Sequence, residues 1–153
     1  MADLPQPGDP APDFALDADD GSRISLADLR GQKVVLYFYP KDDTPGCTRE
    51  ACEFRDSHPR YQAKDAVVLG VSPDKVSKHQ KFRDKYDLPF RLLADPEHEV
   101  AEKYGVWQQK SFMGRKFMGV ARTTFLIDQE GRIEKVWEKV SPKGHAEEVL
   151  GIL

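Results

Sequence analysis

The stretch "FYPKDDTPGCTREACEFRD", Phe38 to Asp56, decides how this chain folds, and it carries both cysteines, Cys47 and Cys52. It opens at the end of "GQKVVLYFYP" (31–40), where Val34 to Tyr39 show no polar alternation and read as a strand buried on both faces. Thr44-Pro45 then has the form of a helix N-cap followed by proline at the first helical position. With Thr44 as N-cap, Cys47 falls in the first turn. Pro59 is expected to end this helix near Ser57 or His58, because proline disfavours helical geometry in the residue before it. The segment is therefore strand, short loop, helix. Cys47 sits at the helix entrance beyond a strand end, where open α/β sheets place their sites.

A helix N-terminus presents unpaired N–H groups and about half a positive charge. Both favour thiolate over thiol at Cys47. The bland alternative is an inert cysteine acting as a small hydrophobe, which the Thr-Pro-Gly setting argues against. Gly46, without a side chain, lets a ligand approach the backbone closely. Cys52 lies five positions on. In an intact helix the two Cα atoms would stand about 8–9 Å apart and roughly 140° around the axis. Disulfides need Cα atoms within about 7 Å, so the two sulfurs join only if the helix locally unwinds. A helix of about 13 residues is marginal on its own, which makes unwinding feasible once its packing loosens.

Outward from this segment, "AVVLGVS" (66–72) is a second apolar run, and "RTTFLID" (122–128) and "RIEKVWEKV" (132–140) are two more, joined by a turn-like "DQEG" as an antiparallel hairpin. Val76, His79, Phe82 and Tyr86 recur with the period of one helix face. Asp95-Pro96 and Ser141-Pro142 repeat the cap-plus-proline signal, the first helix stopping at Gly105 and the second running to about Leu150. The order predicts an α/β fold around a mixed sheet.

The chain has 153 residues, which suits a single domain over residues 1–153. Lys and Arg number 23 against 26 Asp and Glu, a net charge of −3 that gives no case for a nucleic-acid or membrane-surface partner. No run approaches the roughly 18 apolar residues of a membrane span. The opening "MADLPQPGDPAPDFAL" lacks the apolar core of a signal peptide, so a cytoplasmic location is the default expectation. Two cysteines are too few for a disulfide framework, so any disulfide is expected to be transient and chemical.

"PKDDTPGC" resembles the peroxiredoxin signature Pro-x-x-x-Thr-x-x-Cys, at Pro40, Thr44 and Cys47. The second cysteine, in "CTREACEFRD", resembles the Q-type subfamily, also called bacterioferritin comigratory protein. Similarity continues through "YGVW" (104–107), "MGVARTTFLID" (118–128) and "GHAEEVL" (144–150). The resemblance implies a thioredoxin-like fold, a central mixed β-sheet flanked by helices, and a thiol peroxidase acting on hydrogen peroxide and organic hydroperoxides. It implies Cys47 as the peroxidatic cysteine and Cys52 as the resolving one, joined in an intramolecular disulfide that thioredoxin reduces. Thr44 and Arg122 would position and polarise the peroxide, and Pro40 would shield the site. No metal or organic cofactor and a monomeric state are likewise implied.

Magnitudes constrain those roles. A thiol with pKa about 8.5 is already several per cent ionised near pH 7, so full ionisation gains only about one to one-and-a-half orders of magnitude. A lower pKa also weakens the nucleophile. Most of the acceleration must come from donors aimed at the leaving oxygen, where one donor is worth about 3–4 kcal/mol. Arg122 suits this, with the N–H groups of Gly46 and Cys47 as further candidates. Against that stands the ordinary use of a strand-edge arginine in a surface ion pair. Glu50, three residues after Cys47, either orients Arg122 or simply complements the helix dipole. Thr44 cannot bridge thiolate and peroxide while its hydroxyl fully caps the helix.

Three rivals remain at this level. The first is a thiol–disulfide oxidoreductase on the same fold, though such enzymes use Cys-x-x-Cys. The second is a metal module built from Cys47, Cys52 and some of His58, His79, His98 and His145, whose spacing shows no paired ligands. The third is a peroxide sensor sharing the same first step.

Overall fold

The computed structural model describes residues 3–153. Nine strands, β1 (Ala15–Ala18), β2 (Arg23–Ser25), β3 (Lys33–Phe38), β4 (Ala66–Ser72), β5 (Arg91–Ala94), β6 (Trp107–Phe112), β7 (Arg115–Val120), β8 (Thr123–Ile127) and β9 (Ile133–Trp137), are joined by four helices. These are α1 (Pro45–Ala63), α2 (Val76–Tyr86), α3 (Glu99–Lys103) and α4 (His145–Leu150). Among the described residues seven strands form one sheet in the order β2-β1-β5-β4-β3-β8-β9, and β6 and β7 form a separate pair. β3 runs parallel to β4 and antiparallel to β8, so the sheet is mixed, and helices flank it: the thioredoxin-like α/β architecture expected.

The lack of alternation in β3 now has its cause. Val34, Leu36 and Phe38 point into one core layer, with Phe14, Val100, Tyr104 and Phe125. Val35, Tyr37 and Tyr39 point into the other, with Phe54, Tyr61, Phe82 and Val149 from α1, α2 and α4. A central strand covered on both sides has no solvent face to mark with polar residues. Its C-terminal end is therefore held rigidly, and the loop after it leads directly to α1.

Three helix boundaries differ from expectation. α1 does not stop near Ser57 or His58 but continues through Pro59 to Ala63. The proline removes one backbone hydrogen bond. Packing holds the far half in place: Tyr61 is fully buried and its hydroxyl donates to the Ala146 carbonyl at 2.6 Å. α3 begins at Glu99 rather than beside Asp95-Pro96, yet the Asp95 carboxylate still accepts the N–H groups of Val100 and Ala101, at 3.2 and 2.9 Å. α4 begins at His145 after Gly144, whose φ of 79° makes the turn that Ser141-Pro142 alone does not.

Candidate active site

The loop from Pro40 to Thr44 carries the chain from the rigid end of β3 into α1. Thr44 has extended backbone and caps the helix through its carbonyl, which accepts from Thr48 N at 2.8 Å. Its side chain makes no capping bond; Oγ1 donates instead to the Lys41 carbonyl at 3.0 Å. The conflict at Thr44 is thereby resolved, since the hydroxyl oxygen keeps its lone pairs for another partner. Pro40, at the start of the loop, is half-buried.

Cys47 lies in the first turn and is 1% exposed. Arg122, between β7 and β8, donates from Nη2 to Cys47 Sγ at 3.2 Å and from Nη1 to Glu50 Oε1 at 2.7 Å. Its carbonyl accepts from Val140 N at 3.0 Å, which fixes the backbone behind the guanidinium. Cys47, Arg122 and Glu50 thus form one continuous chain of contacts, and the surface ion-pair reading of Arg122 gives way to a pair with a buried carboxylate. A Cβ at Gly46 would lie 3.2 Å from Arg122 Nη2 and 3.6 Å from Pro142 Cγ, so a side chain there would press on the guanidinium that faces Cys47.

Burial dominates the titration of Glu50. It pushes the carboxyl up to about 7 despite the attraction of Arg122, and Oε2 has no hydrogen-bond partner. At Arg122 burial acts against the charge, but Glu50 and Cys47 outweigh it and raise the pKa. The unfolded Glu50 carboxyl titrates near 4.5 and the folded one near 7, so its contribution to stability is present below pH 4.5 and lost as pH rises through 7. Glu50→Gln should remove that dependence, on the order of 3 kcal/mol between about pH 5 and about pH 8. Urea unfolding of both proteins at the two pH values measures it.

Two further neighbours carry no local mark of their place at the site. Pro142 walls the space beside Gly46. Lys110, on β6, donates from Nζ to the Val120 carbonyl at 2.8 Å. Burial lowers its pKa, the Arg122 charge lowers it further, and Cys47 pulls the other way, which places a second cation in this neighbourhood.

Cys52 is half-buried and its thiol is free, as is that of Cys47. Burial raises its pKa, with Arg55 opposing and Asp56 adding. α1 is continuous across both cysteines, so they face different directions. The rival metal set does not assemble. Among the described residues the one cluster of possible ligands is Asp42, Asp74 and His79, without a cysteine. His58 and His98 lie against Phe90 and Trp107, and His145 bonds Thr124 and Glu148. His79 and His145 are buried.

Comparison with known proteins places this geometry. The model of the AhpC/TSA family matches residues 7–136. The chain is 53% identical to the peroxiredoxin Bcp of Bacillus subtilis over 146 residues, covering 95% of this chain and 93% of that one. Among solved structures it resembles Xylella fastidiosa PrxQ, determined as a C47S mutant, with a TM-score of 0.92, 35% identity and coverage of 99% and 96% of the two chains. It also resembles the bacterioferritin comigratory protein of Xanthomonas campestris, whose trapped intermediate and ligand complexes concern its alkyl peroxide reduction activity (TM-score 0.88, 34% identity, 99% and 96% covered).

Proposed function

This chain belongs to the AhpC/TSA family and is a peroxiredoxin, a thiol-dependent peroxidase, and from that premise we propose how its own residues divide the work. Cys47 attacks the near oxygen of a peroxide; the O–O bond breaks, the far oxygen leaves as water or alcohol after taking a proton, and Cys47 becomes a sulfenic acid. Cys52 then attacks that sulfur, releasing water and forming the Cys47–Cys52 disulfide. A dithiol reductant, thioredoxin in our reading, returns both to thiols. Arg122 holds the attacking sulfur and donates to the oxygens as charge develops. Thr44 accepts from the bound peroxide, Glu50 orients Arg122, Pro40 and Gly46 shape the space, and no metal or organic cofactor takes part. The protein works in the cytoplasm as a monomer.

The observation that carries this reading is Arg122 Nη2 at 3.2 Å from Cys47 Sγ while Nη1 is pinned by Glu50. The deep burial of Cys47 agrees with it, because donors act more strongly where water is excluded. The direct test is peptide mass mapping before and after one equivalent of hydrogen peroxide, together with turnover on thioredoxin, thioredoxin reductase and NADPH. Linkage of Cys47 to Cys52 within one molecule, and sustained turnover, are expected; unlinked cysteines after peroxide is consumed would refute the second step. Arg122→Met should slow sulfenic acid formation by about 10²–10³-fold, the worth of one transition-state donor, in stopped-flow measurements.

A further inference from the structure

Behind the Lys41–Thr44 loop lies a buried polar cluster that the chemistry above does not use. His79, on α2, is fully buried. Its Nδ1 lies 2.6 Å from Asp42 Oδ2 and its Nε2 2.9 Å from the Leu93 carbonyl. Tyr39 donates its hydroxyl to Asp42 Oδ1 at 2.5 Å. The Asp42 N–H donates to Asp74 Oδ2 at 2.7 Å, and Asp74 is held by Ser72 and Lys78. Next along the loop, Asp43 has a φ of 58°, unfavourable for a residue with a side chain. Its carboxylate is gripped by Lys85 Nζ and Tyr86 Oη at 2.8 and 2.9 Å. Both Asp42 and Asp43 are therefore tied to α2, and Thr44 follows directly.

Proton counting shows what the tie requires. The Leu93 carbonyl only accepts, so His79 Nε2 carries a hydrogen. One further proton then lies between Nδ1 and the Asp42 carboxyl, and the pair is net neutral wherever that proton sits. Both carboxylate oxygens of Asp42 and both ring nitrogens of His79 thus have a hydrogen-bond partner. The arrangement is a clamp.

We propose that His79 is a positioning residue for the peroxide step, holding the Lys41–Thr44 loop through Asp42 so that the Thr44 hydroxyl and the first N–H groups of α1 keep their placement around Cys47. The inference rests on the reading of Cys47 and Thr44 given above and adds the device that presets them. It also separates fixed from moving parts. Disulfide formation must unwind the start of α1, whereas the clamp draws on Tyr39 just beyond β3, Ser72 of β4, Leu93 of β5 and His79 of α2. The loop is thereby kept in place when the helix lets go, and re-forms the site when the helix returns.

The test compares sulfenic acid formation by stopped flow in the wild type, His79→Leu, Asp42→Asn and Tyr39→Phe, with Cys47→Ser alongside. His79→Leu should slow the peroxide step by roughly 10–100-fold, the scale of an ångström-sized misplacement. The reduction of the disulfide by thioredoxin should stay at the wild-type rate. Asp42→Asn can accept from Tyr39 and donate to a neutral His79, so it should remain within about threefold of wild type. Tyr39→Phe, which deletes a single bond to Asp42, should fall several-fold below wild type. A wild-type peroxide rate in folded His79→Leu overturns the proposal, as does an equal loss in both half-reactions. If His79→Leu does not fold, Tyr39→Phe decides, and an unchanged rate there overturns it. Peroxide consumption by Cys47→Ser would instead refute the underlying assignment of the reactive sulfur, whatever His79 does.

Discussion

Cys47→Ser should reduce peroxide consumption to the level of buffer, a loss of at least about 10⁴-fold, as when the nucleophile is removed from a catalytic unit whose members act together. The substitution leaves the surroundings in place. Arg122 would still donate to an oxygen at position 47, Glu50 would still hold Arg122, and Thr44 would still bond Lys41. What disappears is a soft, ionisable atom able to attack the O–O bond, because a serine hydroxyl stays protonated at neutral pH. The prediction therefore isolates the sulfur from its setting. Peroxide removal followed in a coupled assay, with folding checked by circular dichroism, gives the answer. Its counterpart is Arg122→Met, which keeps the sulfur and removes the donor, and for which a partial loss is expected.

The fold was legible where burial leaves a one-dimensional trace. β3 and β4 are unbroken apolar runs because both faces are covered, and the start of α1 is marked by Thr44-Pro45. The β6–β7 hairpin left no such trace: most of its residues are exposed or half-buried, so neither alternation nor an apolar run reveals it. β5 is only four residues long. Pro59 misled because the local rule was outweighed by a contact 85 residues away, Tyr61 to Ala146. At the site, Cys47 and Arg122 are separated by 75 positions, and only the family resemblance suggested that they meet. His79 was placed on its helix face by periodicity, but nothing local announces that Asp42, 37 residues earlier, will lie 2.6 Å from its ring. Motifs record the groups that touch substrate; the groups that hold those groups are written in tertiary contacts.

Cys52→Ser should consume one peroxide per protein and then stall, with Cys47 passing to sulfinic acid as further peroxide is supplied. α1 runs unbroken through both cysteines, so an intact helix keeps their Cα atoms about 8–9 Å apart, beyond the roughly 7 Å a disulfide spans. Unwinding the first turns is therefore part of the proposed reaction, and three features favour it. Glu50 holds a buried oxygen without a partner, and burial raises its pKa, so exposing that turn relieves an unfavourable group. Oxidation places an oxygen on the sulfur that Arg122 grips. Exposure also removes the burial that raises the Cys52 pKa, so the motion that brings the second sulfur within reach also eases its ionisation. The far half of α1 stays anchored by Tyr61, and the loop before it by Asp42 and Asp43, so the change is confined between two fixed points. Once the helix opens, a neighbouring thiol on a short tether acts at an effective concentration in the millimolar range, against micromolar for an external thiol. Loss of Cys52 should thus lower steady-state turnover with thioredoxin by about a hundredfold or more, while the stopped-flow rate of the first step stays within about twofold of wild type. A variant that lost the first step instead would exchange the roles of the two sulfurs, and mass analysis of the stalled protein, with oxygen added at Cys47 alone, distinguishes the outcomes.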